Sequence, residues 1–245
     1  MNKPALVMLD CTLRDGGYYN NWDFDAQLVQ DYLQAMLGLG VDYVELGFRG
    51  FAGSDFRGAY AFTTDAFLRS LQLPAALNVG VMVNASEVLN HPSGLLPALT
   101  LLFAPAHQSP VKLVRLACHV HEFEATLPAC DGLSAQGYRG GINLMQIADR
   151  QPDEIERLAL MAQGRPLDAL YFADSMGSLS PAQTSDIIRS LRRGWHGALG
   201  IHTHDNCAMA LANTLQAVAD GVSWVDSTVT GMGRGPGNAR TEYLA

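Results

Sequence analysis

Charge is scarce in this sequence: Asp, Glu, Lys and Arg together make up 16% of 245 residues, and the 16 basic side chains are outnumbered by 24 acidic ones. The densest basic group is the pair Arg192 and Arg193, and the formal net charge is -8. A nucleic-acid partner is therefore not expected, because phosphate recognition needs a basic stripe. Long apolar runs are also missing. No stretch approaches the ~18 residues of a membrane span, and residues 1–4 offer neither an apolar leader core nor a cleavage site, so no membrane partner and a cytoplasmic location are expected. The four cysteines, Cys11, Cys118, Cys130 and Cys207, include no C-x-x-C pair. In a chain of this size they read as reduced thiols rather than a disulfide framework. Low-complexity tracts and linkers are absent, which leaves residues 1–245 as a single domain.

What is present is apolar and rhythmic. Hydrophobic residues make up 48% of the chain, enough for one large core. Short apolar runs recur at 5–9, 41–46, 77–83, 111–116, 141–145, 169–173, 199–202 and 224–227, each bounded by turn residues. Between them lie segments of helical period. Leu28, Val29, Tyr32, Leu33, Met36 and Leu37 share one face, as do Ile155, Leu158, Ala159 and Ala162. Ser180-Pro181 reads as an N-cap followed by proline at the first helical position, and Gly221 suits the residue beyond a helix that starts near Asn206. Eight strands alternating with helices over this length predict a (β/α)8 barrel. After the eighth strand and a glycine-rich loop, only residues 239–245 remain for the last outer helix, two turns at most. A short or truncated eighth helix is expected, and with it a homodimer or a C-terminal partner domain covering the gap.

In such a barrel the active site lies at the C-terminal strand ends. The first strand leads into Arg14-Asp15, and the seventh carries His202 and His204, whose spacing of two places both imidazoles on one face. One carboxylate and two imidazoles can hold a divalent cation while leaving positions open for substrate. Arg14 stays charged and presents a rigid fork of donors, and Glu45 at the end of the second strand can orient that fork. A second His-x-His, His119 and His121 at the end of the fourth strand, competes as a metal pair but lacks a strand-end carboxylate in register. Asp174-Ser175 can contact a substrate or cap the next turn. The loop containing Arg49 and Arg57 can supply cations for an acidic substrate, although solvated surface is the commoner role for any one such arginine. The glycine-rich loop 231–238 does not follow the first strand, so a dinucleotide fold is not expected.

These motifs, in this order, resemble the metal-dependent aldolase, lyase and Claisen-condensing barrels that include 4-hydroxy-2-oxovalerate aldolase, hydroxymethylglutaryl-CoA lyase and isopropylmalate synthase. The resemblance spans nearly the whole chain, and the stretch from Tyr171-Phe172-Ala173-Asp174-Ser175 to Asn238 resembles most the 4-hydroxy-2-oxovalerate aldolase branch. It implies a carbon–carbon lyase of the class II aldolase type, with magnesium or manganese on Asp15, His202 and His204 and with Asn238 completing or supporting that site. It also implies that Arg14 stabilises the enolate oxygen of a 2-oxo acid, that Glu45 holds Arg14, and that an aldehyde is the second small-molecule partner.

One position departs from the family. The aldolases carry a histidine base three residues after the metal-binding aspartate, where this chain has Tyr18. Either the base is Tyr18, His119 or His121, or the reaction differs from that of the aldolases. Two alternatives stand beside the aldolase: an acyl-CoA condensation or lyase, whose loop cysteine is missing from residues 231–238, and a catalytically silent barrel used for binding or assembly.

Overall fold

The eight apolar runs become the eight strands of a closed parallel barrel, paired in sequence order with the last strand returning to the first. The computed structural model describes residues 6–245; Ala5, where the first run begins, lies outside them. The strands are β1 (Val7–Asp10), β2 (Tyr43–Phe48), β3 (Asn78–Asn84), β4 (Val111–His119), β5 (Arg139–Met145), β6 (Ala169–Asp174), β7 (Leu199–Thr203) and β8 (Trp224–Ser227). Several run one to three residues further toward the active-site end than their apolar stretches, because there the barrel continues through buried polar residues such as Asp10 and Asp174.

Helices α1 (Thr12–Gly16), α2 (Ala26–Leu39), α3 (Asp65–Ser70), α4 (Ala85–Leu89), α5 (Leu95–Leu102), α6 (Phe123–Ala135), α7 (Pro152–Ala162), α8 (Pro181–Gly194), α9 (Ala210–Ala219) and α10 (Thr241–Leu244) fill the connections. The cap of α8 forms as its sequence predicts: Ser180 Oγ accepts from Gln183 N, and Gln183 Oε1 accepts from Ser180 N in return. Helix α9 starts four residues later than expected. Asp205 Oδ1 accepts from Ala210 N, and Ala208 takes a left-handed φ of 55°, so residues 205–209 form a turn first. Gly221, with φ of 91°, lies just past its end. The final helix is a single turn. Beside it lies an apolar groove of about 370 Å³, lined by Leu13, Leu28, Met36, Leu39 and Met232.

The barrel interior is layered. Leu9, Tyr43, Leu113, Tyr171 and Trp224 form an apolar plug separate from the main core between strands and helices. Two residues further along their strands the alternation puts Cys11, Glu45, Arg115 and Asp226 on the same inward face. The Arg115 guanidinium lies over the Tyr171 ring at 4.6 Å. An ionic layer thus rests on an apolar one, and a pocket opens above it. No helix among the described residues is long and apolar enough to cross a membrane.

Candidate active site

Arg14 and Asp15 sit not in an open turn but in α1, the one-turn helix that follows β1 directly. Asp10 Oδ1 accepts from Thr12 N at 2.9 Å, and Thr12 Oγ1 accepts from Val229 N at 2.8 Å, which fixes the start of that turn against the β8 loop. Both functional side chains are buried, Asp15 completely.

From there the charges close into a ring. Arg14 Nε donates to Glu45 Oε1 at 2.8 Å, and Arg115 donates to both oxygens of Glu45, from Nη2 at 2.8 Å and Nε at 2.7 Å. Arg115 Nη1 reaches Asp226 at 2.7 and 3.0 Å. Asp226 Oδ2 faces His202 Nδ1 at 2.9 Å, His202 Nε2 lies 3.4 Å from Asp15 Oδ2, and Asp15 Oδ1 lies 2.9 Å from Arg14 Nη1. Burial opposes ionisation of both aspartates. The guanidiniums and His202 prevail, so Asp15 stays well below the ordinary carboxylate range and Asp226 below it too. His202 is pushed down by burial but drawn up further by Asp15 and Asp226, and its pKa ends above the ordinary value.

A divalent cation fits this arrangement. Three carboxylates against two guanidiniums leave one negative charge in the ring when His202 is neutral, and Asp15 and His202 meet within it. The Nδ1–H to Asp226 contact leaves His202 Nε2 as the nitrogen facing Asp15, a usual arrangement for a metal-bound histidine. His204 stands beside it, ring centroids 5.1 Å apart. Burial, His202 and the Arg234 and Arg14 guanidiniums bring its pKa down to about 3, so the ring is neutral and keeps a lone pair. Asn238 Nδ2 donates to Asp15 Oδ2, while Asn238 Oδ1 is buried without a hydrogen-bond partner among the described residues. The tightest donor cluster is Cys11, Asp15 and His202, within 4.8 Å of one another. Cys11 is the weaker candidate ligand: burial pushes its thiol pKa up, and Sγ is engaged with the Ser227 carbonyl at 3.4 Å.

Residues 142–245, from β5 through α10, match the HMGL-like family model. The structure of the N-terminal domain of a candidate aldolase from Bacteroides vulgatus superposes with a TM-score of 0.88 at 31% identity, over 98% of this chain and 78% of that one. The chain belongs to the HMGL-like family. A 4-hydroxy-2-oxovalerate aldolase from Brevibacillus brevis is 28% identical over 98% of this chain and 68% of its own length. An oxaloacetate decarboxylase from Mycobacterium tuberculosis is 27% identical over 97% of this chain and 68% of its own. These names place the HMGL-like chain among enzymes that cleave carbon–carbon bonds.

Within this HMGL-like barrel the remaining expected residues separate. Arg14, Tyr18, His202 and His204 line one pocket with Asn143, Ser175 and Arg234. Tyr18 packs edge-on against Trp22 at 4.8 Å, beneath the Arg234 guanidinium at 5.3 Å. His119 and His121 are not in that lining. His119 Nδ1 faces Gln146 Oε1 at 3.1 Å, and His121, 78% exposed, opens on a separate cavity between α6 and α7. Asp174 caps the following turn, accepting from Ser178 N and Leu179 N.

Sequence reasoning missed Arg115, Asp226, Cys11 and Asn143. The available signal was period: Arg115 and Asp226 are charged residues at inward positions of otherwise apolar strands, where an isolated charge cannot be tolerated. Two glycines of the loop have steric duties. A Cβ on Gly237, with φ of 101°, would collide with the Gly231 carbonyl, and one on Gly233 would meet the Asn238 side chain at 2.7 Å.

Proposed function

We propose that the protein is a divalent-metal-dependent aldolase or lyase of the class II type that makes or breaks a carbon–carbon bond beside a 2-oxo acid through a pyruvate-type enolate. The observation that carries this reading is the closed charge ring, which holds a guanidinium edge and a cation-seeking Asp15–His202 pair on the same side of one pocket. The relatives' names share one chemistry. Cleavage of 4-hydroxy-2-oxovalerate between C3 and C4, and loss of carbon dioxide from oxaloacetate, both leave the enolate of pyruvate.

Asp15, His202 and His204 would hold magnesium or manganese, with Asn238 supporting Asp15. The cation, when bound, supplies Lewis-acid stabilisation of negative charge on the 2-oxo acid. Arg14, its direction fixed by Glu45, donates hydrogen bonds to the C2 oxygen as charge gathers there. Tyr18, at the mouth, removes the C4 hydroxyl proton. The C3–C4 bond breaks, the aldehyde leaves, and its electron pair moves into the enolate, which takes a proton at C3 to become pyruvate. The intact ring favours catalysis over a silent barrel, and the loop 231–238 has no cysteine for an acyl-CoA lyase.

The test is pyruvate release from 4-hydroxy-2-oxo acids, followed through lactate dehydrogenase, with manganese or magnesium present or chelated. Metal-dependent release supports the aldolase. A protein that binds metal but releases no pyruvate from any 4-hydroxy-2-oxo acid or from oxaloacetate refutes it.

A further inference from the structure

Next to the catalytic pocket lies a larger cavity of about 650 Å³, and the two share Tyr18, Phe48 and Asn84. The size falls in the range of ~300–1,000 Å³ typical of small-molecule sites, whereas cleavage of 4-hydroxy-2-oxovalerate would release only the two-carbon, uncharged acetaldehyde. Aromatic rings form part of its wall, and one cation of this cavity, Arg57, and one of the neighbouring catalytic pocket, Arg234, are laid on them. The Arg57 guanidinium stacks over Trp22 at 5.4 Å and the Arg234 guanidinium over Tyr18 at 5.3 Å, with the two rings themselves in contact at 4.8 Å. Neither guanidinium is within ion-pair distance of a carboxylate among the described residues. A guanidinium stacked by its face keeps its edge donors free and pre-oriented for an incoming anion.

Two carboxylates, Glu87 and Asp55, also line this cavity, each with a hydrogen-bond donor of its own. The Glu87 carboxylate accepts from the backbone N–H of Phe51, and Asp55, at the exposed loop tip, accepts from Ser54 Oγ at 3.4 Å. The wall is also tied to the chemistry. Trp22 Nε1 donates to the Arg14 carbonyl at 2.8 Å, and Asn21 and Trp22 are held in consecutive left-handed conformations, φ 56° and 58°. Residues kept in such a region by surrounding structure cluster at ligand sites.

We propose that this cavity receives the aldehyde partner of the enolate and that the aldehyde carries an anionic group, a carboxylate or a phosphate, held by Arg57 on the cavity wall and Arg234 on the catalytic-pocket side of Tyr18, where the two cavities join. The proposal rests on the pyruvate-enolate reading. In addition, C3 of the enolate bonds to the aldehyde carbon while the aldehyde oxygen takes a proton from Tyr18; cleavage is the reverse. Tyr18 lies where the two cavities join, at the meeting point of donor and acceptor.

Calorimetric titration of the full chain at low ionic strength with glycerol 3-phosphate, glycerate and glycerol tests the anion site without requiring turnover. One or both anions should bind and glycerol should not. Arg57→Met and Arg234→Met should each weaken the anion by about tenfold or more, the scale of a lost charged hydrogen bond. Tighter binding of glycerol 3-phosphate assigns a phosphate, and of glycerate a carboxylate. No preference over glycerol, or unchanged affinity in the double variant, overturns the proposal. With metal and pyruvate added, the aldehyde carrying the tighter-binding group should exceed its uncharged analogue in kcat/KM, and the double variant should lose that ratio. Equal use of both aldehydes by an enzyme that exchanges pyruvate methyl protons overturns the acceptor proposal and leaves the enolate reading intact. Anion binding lost in the variants, with no proton exchange by the native protein, upholds the anion site and overturns the enolate reading.

Discussion

Arg115 Nη1, on β4, contacts both oxygens of Asp226, on β8, at 2.7 and 3.0 Å across the interior of the barrel. Arg115 touches none of the pocket, yet it joins Glu45, which aims Arg14, to Asp226, which aims His202. Asp226→Asn should weaken divalent-metal binding by about 10–100-fold, the usual cost of losing a metal-ligand histidine's partner. Arg115→Met leaves the buried Glu45 with Arg14 alone and the buried Asp226 with His202 alone, and should cost ~3–5 kcal/mol of stability. Metal titration and urea unfolding measure these. Unchanged metal affinity in Asp226→Asn would mean that His202 is oriented without it.

Arg14 acts on charge that is complete only in the enolate. Arg14→Lys keeps the charge and loses the fork, so turnover should fall by ~100-fold or more, the scale of a lost oxyanion donor. Metal content should be retained. Near-normal turnover would exclude Arg14 from the reaction.

Tyr18 occupies the pocket mouth, whereas His119 and His121 lie outside the lining. Tyr18→Phe should abolish aldol cleavage while metal-dependent exchange of pyruvate methyl protons continues, and His119→Ala and His121→Ala should leave cleavage near normal. A dead His121→Ala with an active Tyr18→Phe would move the base to β4.

Acid should reveal the Asp226 pair. Its folded pKa lies below the ordinary carboxylate range because Arg115 and His202 outweigh burial. A depressed acid contributes stability that is complete above the unfolded value of ~3.9 and is lost as pH falls through the folded value. The stability gap between the native protein and Asp226→Asn should therefore be full near about pH 6 and shrink below about pH 4. Urea midpoints across that range measure it. A constant gap would show that the carboxylate is not held below the ordinary range.

The barrel was legible because eight apolar runs and their turn signals are local properties. The meeting of Asp15 with His202 was legible because one follows β1 closely and the other lies on β7, with His204 beside His202 two positions on. The Arg115–Asp226 bridge was not, since its partners are 111 positions apart and only closure of the barrel brings β4 and β8 face to face. The positions of His119 and His121 were hidden for a similar reason. Residues 120–122 turn into a short 3-10 helix after β4 that carries His121 outward, and that turn is set by Glu122 Oε2 accepting from His119 N rather than by an apolar pattern.

The most direct test of the metal–enolate site is proton NMR of pyruvate methyl exchange in deuterated buffer. The manganese- or magnesium-loaded native protein should deuterate the methyl group, the chelated protein and His202→Ala should not, and Arg14→Lys should be slowed by ~100-fold. Exchange that continues unchanged in chelator or in His202→Ala, or no exchange in protein shown to hold metal, would contradict an enolate formed at this site.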